Sequence, residues 1–359
     1  MLKRSISLFL SVASFMALLC IFLPIAQAAP RKSTVIKANA NFITFTPDSQ
    51  NLVALCTLKS TGQEIRLQKF AAEHSSIDFY DIRSGRRTRR IVSRFPLSTL
   101  AISPNGKILV GAGQNPNRTS KTHPTSAGCL IVWNLPTGKV HRLVPSPIAE
   151  GEIAFSKQGN QLAFGSNVKG EVEGQALQLY NTSTWRLKHA FRGFEFGVLD
   201  HVAFSNDGHL LAGMSATHRE GQHGELLVWN LDTNRRLLRI VDDELSDGAI
   251  GGPIIFDSDD TSIFCGKLKV RILREKSIDR KINGERDHEA VAINKKRKIV
   301  AVVGYDRSQQ FEIWDLRSGQ LLRIIKRTPD FGQSQAFSPR GDIFAVIGEH
   351  DIELHSLSG

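Results

Sequence analysis

Residues 202–241 read VAFSNDGHLLAGMSATHREGQHGELLVWNLDTNRRLLRIV, and this pattern decides the fold. Val202-Ala203-Phe204 is an apolar run that stops at Ser205-Asn206-Asp207-Gly208. Those four residues suit a tight turn: Ser, Asn and Asp bond neighbouring backbone groups, and Gly takes a positive φ without strain. Leu210-Leu211-Ala212-Gly213 resumes the apolar character. After a polar stretch comes Val228-Trp229-Asn230-Leu231, whose Asn opens a second turn, and then Leu237-Leu238-Arg239-Ile240-Val241. Short apolar runs bounded by turn residues are strands, so this unit holds four antiparallel strands and no helix.

The unit recurs along the chain. Its first phrase returns as Phe45-Thr46-Pro47-Asp48, Ile102-Ser103-Pro104-Asn105-Gly106, Phe155-Ser156-Lys157-Gln158-Gly159, Phe256-Asp257-Ser258-Asp259, Ile293-Asn294-Lys295-Lys296 and Phe337-Ser338-Pro339-Arg340-Gly341. Its second phrase returns as Phe79-Tyr80-Asp81-Ile82, Val132-Trp133-Asn134-Leu135, Leu179-Tyr180-Asn181, Ile313-Trp314-Asp315-Leu316 and Leu354-His355-Ser356-Leu357. The remaining copy, Val270-Arg271-Ile272-Leu273, carries Arg where the aromatic stands elsewhere. Four strands per unit, a Phe-Ser-x-x-Gly turn and an aromatic-Asp/Asn pair resemble the WD-repeat β-propeller family, in a divergent, bacterial-type, exported form. The resemblance covers nearly everything beyond residue 28. It implies an all-β, seven-bladed β-propeller of four-stranded antiparallel blades over residues 29–359. The full Trp-Asp pair stands once, at Trp314-Asp315, and Gly208-His209 falls in a different turn from the family's Gly-His. The family's buried His–Ser/Thr–Asp–Trp network is therefore not expected.

The two ends of the chain fit this reading. The last unit stops at Leu357, short of a fourth strand, while Thr34-Val35-Ile36-Lys37-Ala38 is a spare apolar run near the start. Adding it to the last blade ties the termini together and hides an open sheet edge. Before it, Lys3-Arg4, a long apolar run from Ile6 to Leu23 and Ala26-Gln27-Ala28 form a signal peptide over residues 1–28. The protein is expected to be exported, periplasmic or extracellular. It would contact a membrane only if this segment stays uncleaved as an anchor. Cys56, Cys129 and Cys265 stand far apart beside apolar runs and read as small buried hydrophobes rather than a disulfide framework.

Extra chain enters each unit at one place. The interval from the aromatic position to the next first phrase is nearly constant, whereas the interval inside the unit varies widely. Thr57 to Ser76, Gln114 to Gly128, Asn167 to Gln175 and Ala216 to Gly224 are the long versions, all between the second and third strands of units one to four. Insertions on one face of a repeat protein commonly form its binding face. The favoured reading is thus a non-enzymatic scaffold for a protein or glycan. Phe194 and Phe196 in a link between blades, and His218 and His223 in the fourth long loop, are its candidate contact residues.

A search for chemistry finds less. There is no nucleophile elbow, phosphate-cradling glycine loop, paired Cys-x-x-Cys or His-Glu-x-x-His. Polar residues at the starts of the inner strands would ring the tunnel mouth: Asn39, Asn41, Glu150, Glu152, Asp200, His201, Asp287, His288 and Glu289. Of these Glu152, Asp200, His201, His288 and Glu289 are the candidate ligands for a divalent cation, since carboxylates suit calcium or magnesium and imidazole suits zinc. No cofactor is otherwise called for. The alternative function is a metal-dependent propeller hydrolase or lactonase. The net charge of +11 is uneven, with clusters at Arg83–Arg90, Arg271–Lys281 and Lys295–Lys298. They suit an anionic surface, but without interleaved aromatics they do not suit nucleic acid.

Overall fold

The computed structural model describes residues 33–58, 74–115, 127–146, 151–165, 177–195, 198–216, 224–242, 253–265, 268–272, 278–281, 288–304, 310–326 and 334–357. The unit Thr34–Gly359 holds seven four-stranded antiparallel sheets and, among the described residues, no helix. The first strands of successive sheets pack side by side and so line the axis of a seven-bladed propeller. From the axis outward, blade one is Ala40–Phe45, Asn51–Leu58, His74–Asp81 and Arg87–Ser93; blade two is Leu97–Ile102, Ile108–Asn115, Ala127–Asn134 and Lys139–Ser146. Blade three is Ile153–Phe155, Gln161–Gly165, Leu177–Asn181 and Arg186–Phe191; blade four is Val198–Phe204, Leu210–Ala216, Gly224–Asn230 and Arg235–Asp242. Blade five is Ile255–Phe256, Ser262–Cys265, Leu268–Arg271 and Ile278–Lys281; blade six is His288–Asn294, Ile299–Gly304, Gln310–Asp315 and Leu321–Lys326. Blade seven is Gln335–Phe337, Ile343–Ile347, Asp351–Ser356 and, as its outermost strand, Thr34–Lys37.

The spare N-terminal run thus closes the ring. Thr34 pairs with Leu354 and Lys37 with Asp351, and Lys37 Nζ also meets the Asp351 carboxylate at 2.9 Å. The strand stops one residue short of Ala38, whose N–H instead donates to the His350 carbonyl at 3.2 Å.

Each recurring phrase builds one turn. In the first phrase the hydroxyl accepts the N–H of the residue five positions on: Asn51 to Thr46 at 3.0 Å, Ile108 to Ser103 at 2.9 Å, Gln161 to Ser156 at 3.1 Å, Leu210 to Ser205 at 2.8 Å and Ile343 to Ser338 at 3.1 Å. In the second phrase Asp or Asn accepts the N–H three residues on, as in Ser84 to Asp81 at 2.8 Å and Thr137 to Asn134 at 3.0 Å. One further bond occurs in every blade. The residue just after the second phrase's Asp/Asn position donates its N–H to the carbonyl before or at the start of the second strand: Ile82 to Gln50, Leu135 to Lys107, Thr182 to Asn160, Leu231 to His209, Ile272 to Thr261, Leu316 to Lys298 and Leu357 to Asp342. Blade five keeps it too, and its register corrects the sequence reading: Val270, opposite Ile263 as Trp229 is opposite Leu211, holds the aromatic position, and Arg271 holds the Asp/Asn position.

Blades stack face to face, so the second and third strands are buried on both sides and the outer strands on one. Each seam has its own apolar core. Val53, Ile77, Leu109 and Trp133 join blades one and two. Leu162, Phe164, Leu130 and Val132 join two and three, and Leu177, Phe191, Leu211 and Trp229 join three and four. Met214, Leu226, Phe256 and Ile263 join four and five; Phe311, Ile313, Phe344 and Val346 join six and seven; Leu52, Tyr80, Ala345 and Ile352 join seven and one. A buried side chain of this size contributes about 1.5–3 kcal/mol. Blade six's face toward blade five is thinner, with Val300 and Val302 buried among the described residues. Cys56, Cys129 and Cys265 are buried in three different seams. Burial pushes the Cys56 thiol up to about 11, so it stays protonated at neutral pH.

Candidate functional site

Strand register assigns the two ends of the ring. Ala40 faces Cys56, Ile153 faces Phe164 and Val198 faces Ala216, so the inner strands begin where the long connections of blades one to four depart. The strands on either side of these connections run slightly further than the sequence suggests: Thr57 still pairs with Ser75, and Leu58 with His74. The connections themselves, with Phe196, His218 and His223, lie outside the described residues, as do Glu150 and Asp287.

At this end the fold brings Glu152 and His201 together. Glu152 precedes the inner strand of blade three and His201 lies on that of blade four. Glu152 Oε2 accepts the Val202 N–H at 2.7 Å and lies 3.3 Å from His201 Nδ1. Both side chains are half-buried. Asp200 falls at a bulge, where the register jumps from Leu199 to His201. His288 and Glu289 begin the inner strand of blade six, opposite Gly304 and Val303. Of Asp200, His288 and Glu289 only the backbone is described. Among the described residues no three His, Cys, Asp or Glu side chains gather as a metal centre would require. Asn41 donates to the Thr57 hydroxyl at 2.6 Å, and Asn39 Oδ1 lies 3.2 Å from His350 Nδ1.

Phe194 is half-buried in the link between blades three and four. Its ring meets Trp229 edge-on at 5.5 Å, and a Cβ on Gly213 would come within 2.9 Å of it. The link is fastened by a group that sequence inspection missed. Glu225, fully buried, accepts the Glu195 N–H at 2.8 Å and the Arg239 Nε–H at 2.6 Å, while Arg239 also reaches the Glu195 carboxylate at 2.8 Å. The available signal was a lone acid inside the apolar strand Gly224–Asn230.

The same signal marks Asp78 within His74–Asp81 and Glu312 within Gln310–Asp315. Asp78 is buried and takes both Arg90 Nε and Nη2 at 2.6 Å. In three blades the polar atom of the second-phrase aromatic bonds the side chain two residues earlier on its own strand. Tyr80 hydroxyl donates to Asp78 at 3.4 Å, Tyr180 hydroxyl to Gln178 at 2.6 Å and Trp314 Nε1 to Glu312 at 3.0 Å. In the last blade His355 stands 3.0 Å from Glu353 in the same way.

Much of the basic charge is committed inside the molecule. Arg89, Arg142 and Arg323 occupy equivalent outer-strand positions, opposite Phe79, Val132 and Ile313. Each reaches the carbonyl of the next blade's outer turn: Arg89 to Leu135, Arg142 to Thr184 and Arg323 to Ser356. In blade six, Lys298 pairs with Asp257 at 2.8 Å and Arg297 donates to the Gly341 carbonyl at 2.9 Å. Within the clusters, Arg89, Arg297 and Lys298 thus fasten one blade to the next.

No protein-family model matches the chain, and no curated protein matches it in sequence. Solved structures do resemble it. One is Kuenenia stuttgartiensis hydrazine synthase, at a TM-score of 0.63 and 12% identity over 93% of this chain and 99% of that one. Another is the β-propeller domain of Myceliophteria thermophila Cps50 (Swd1), at 0.62 and 13% over 90% and 98%. At such identities the likeness establishes the fold alone: the protein is a seven-bladed β-propeller.

Proposed function

We propose that the protein is an exported, non-enzymatic binding scaffold that holds a protein or glycan partner on the end where the long connections of blades one to four emerge. One observation carries the reading. Four consecutive blades lengthen the same connection at the same end, from Leu58 to His74, Asn115 to Ala127, Gly165 to Leu177 and Ala216 to Gly224, whereas blade seven passes directly from Ile347 to Asp351. Chance lengthening of surface loops has no reason to fall on four neighbouring blades and spare the other three. Phe194, in the link that leads to this end, is the described candidate contact, with Phe196, His218 and His223 as the further candidates from the sequence. Export fits the basic start, apolar run and small-residue site of residues 1–28.

The test is to shorten the four connections together and compare co-purified partners with those of the parent chain and of Arg340→Glu, a change in a turn at the opposite end. Partners lost from the shortened variant, and kept by Arg340→Glu, support the reading. An unchanged partner set in a shortened variant that melts like the parent overturns it.

The contact between Glu152 and His201 favours a second reading, a divalent cation at this mouth serving a hydrolase or lactonase, with Asp200, His288 and Glu289 as the further ligands. Metal analysis of the purified chain separates the two. The scaffold reading expects no stoichiometric calcium or zinc. A bound ion that disappears in Glu152→Ala and His201→Ala would favour the hydrolase.

A further inference from the structure

The opposite mouth of the tunnel is laced by hydrogen bonds between neighbouring inner turns. Gln158 donates to the Asp207 carbonyl at 3.0 Å, from blade three to four. Asn206 Nδ2 and N reach Asp260 at 2.6 and 2.7 Å, from four to five. Asn294 donates to the Ser338 carbonyl at 2.8 Å, from six to seven, and the Arg340 N–H to Ser49 at 3.1 Å, from seven to one.

One side chain in this girdle is poorly matched. Lys295 leaves the inner turn of blade six and crosses blade five, whose inner strand is only Ile255–Phe256, to reach blade four. There its ammonium has, among the described residues, a single acceptor, the Phe204 carbonyl at 3.5 Å, the outer limit of a hydrogen bond. An ammonium carries three donors. The carboxylates around it are already engaged. Asp260 takes Asn206 N and Nδ2 on one oxygen and the Asp207 N–H, at 3.0 Å, on the other. Asp257 is held by Lys298 at 2.8 Å and Lys269 at 3.1 Å. Burial disfavours its ionisation, but the two lysines and the Ser258 N–H outweigh that and keep its carboxyl well below the ordinary range. Lys157, in the corresponding turn of blade three, is exposed and has no partner among the described residues.

We propose that this mouth is a binding site for a compact phosphate-type oxyanion, held by Lys295 Nζ with Lys157 Nζ. A tetrahedral anion brings the acceptors that Lys295 lacks, and lysines bind phosphate as point charges without the planar match that arginine needs. Burial, with Lys298 and Lys157 adding to it against the pull of Asp260, lowers the Lys295 pKa, so an anion at this point restores the charged form. The site lies at the far end from the long connections and does not depend on the scaffold reading.

Calorimetric titration of the purified chain with inorganic phosphate, and in parallel with glycerol phosphate, tests it. Saturable binding is expected, weakened about tenfold or more by Lys157→Met, abolished by Lys295→Met and unchanged by Lys139→Met on an outer strand. Preference for the ester identifies a phosphate group carried on a larger molecule; equal binding identifies the free ion. A parent chain that binds neither overturns the proposal, as does binding that persists undiminished in Lys157→Met. Because Lys157 is exposed and makes no hydrogen bond or ion pair among the described residues, its variant decides the matter even if Lys295→Met fails to fold.

Discussion

Asp78 shows what a single residue contributes here. It lies in a strand buried on both faces, where an unpaired carboxylate would be prohibitive, and Arg90 meets it in bidentate fashion from the neighbouring strand. Removing one partner leaves the other charge partly desolvated. Asp78→Ala should therefore lower stability by about 1.5–3 kcal/mol, and Asp78→Asn by less, in chemical denaturation. A loss in Asp78→Ala comparable to that of an exposed ion pair, under about 1 kcal/mol, would mean water reaches Arg90 freely. The acid was visible in the sequence as a charge within an apolar run. Its partner was not, because Arg83, Arg86, Arg87, Arg89 and Arg90 look alike as a basic cluster until pairing register puts Arg90 opposite Asp78.

At the scale of the strand and turn, local chemistry was nearly sufficient. Asn181 accepts the N–H groups of both Ser183 and Thr184 at 3.0 Å, and the turn ends on Trp185 at a φ of 56°. In three other blades that position holds glycine, at Gly85, Gly138 and Gly319, and in blade four Asn234 at a φ of 54°. What local chemistry leaves open is how one blade meets the next. The link after Phe191 is fixed by Phe194 wedging toward Gly213 and by Glu225 drawing in the Glu195 backbone. Gly213→Ala should crowd Phe194 and Leu199 and cost about 1–3 kcal/mol in thermal or denaturant melts. Combining it with Phe194→Leu should restore part of that loss. Full tolerance of Gly213→Ala would show that Phe194 is not seated against this strand.

For the whole molecule the question is how the ring stays shut. Blade seven combines the two ends of the chain, and beside its third strand Arg323 of blade six donates to the Ser356 carbonyl. Burial, reinforced by Arg323, holds His355 down to about 4 from the usual 6.5. It therefore sits beside Glu353 as a neutral imidazole at pH 7. A histidine with a lower pKa folded than unfolded adds stability that is complete above about pH 6.5 and is lost as the pH falls toward about 4. The upper bound is about 3 kcal/mol. Glu353 works the other way: burial, and then Asp351, raise its pKa, so protonating it in the folded state offsets part of the loss. The lowered carboxyls of Asp48, Asp207 and Asp257 start from 3.8 and titrate below this window. Denaturant midpoints should accordingly fall between pH 6.5 and 4, and fall less in His355→Gln. Equal slopes in the two chains would remove His355 as the cause.

Repetition of two short phrases was enough to determine strand number, turn positions, blade count and closure by Thr34–Lys37, because each rests on hydrogen bonds within a few residues or on a strand left without a partner. The end bearing the long connections also followed, since a strand's direction carries its loops with it. Only the tertiary structure decided that Glu152 reaches the backbone of blade four, that Arg89, Arg142 and Arg323 fasten one blade to the next, and that Lys295 spans blade five. Those contacts join residues dozens of positions apart. Their geometry comes from how twisted sheets stack around an axis, which no local pattern of polar and apolar residues encodes.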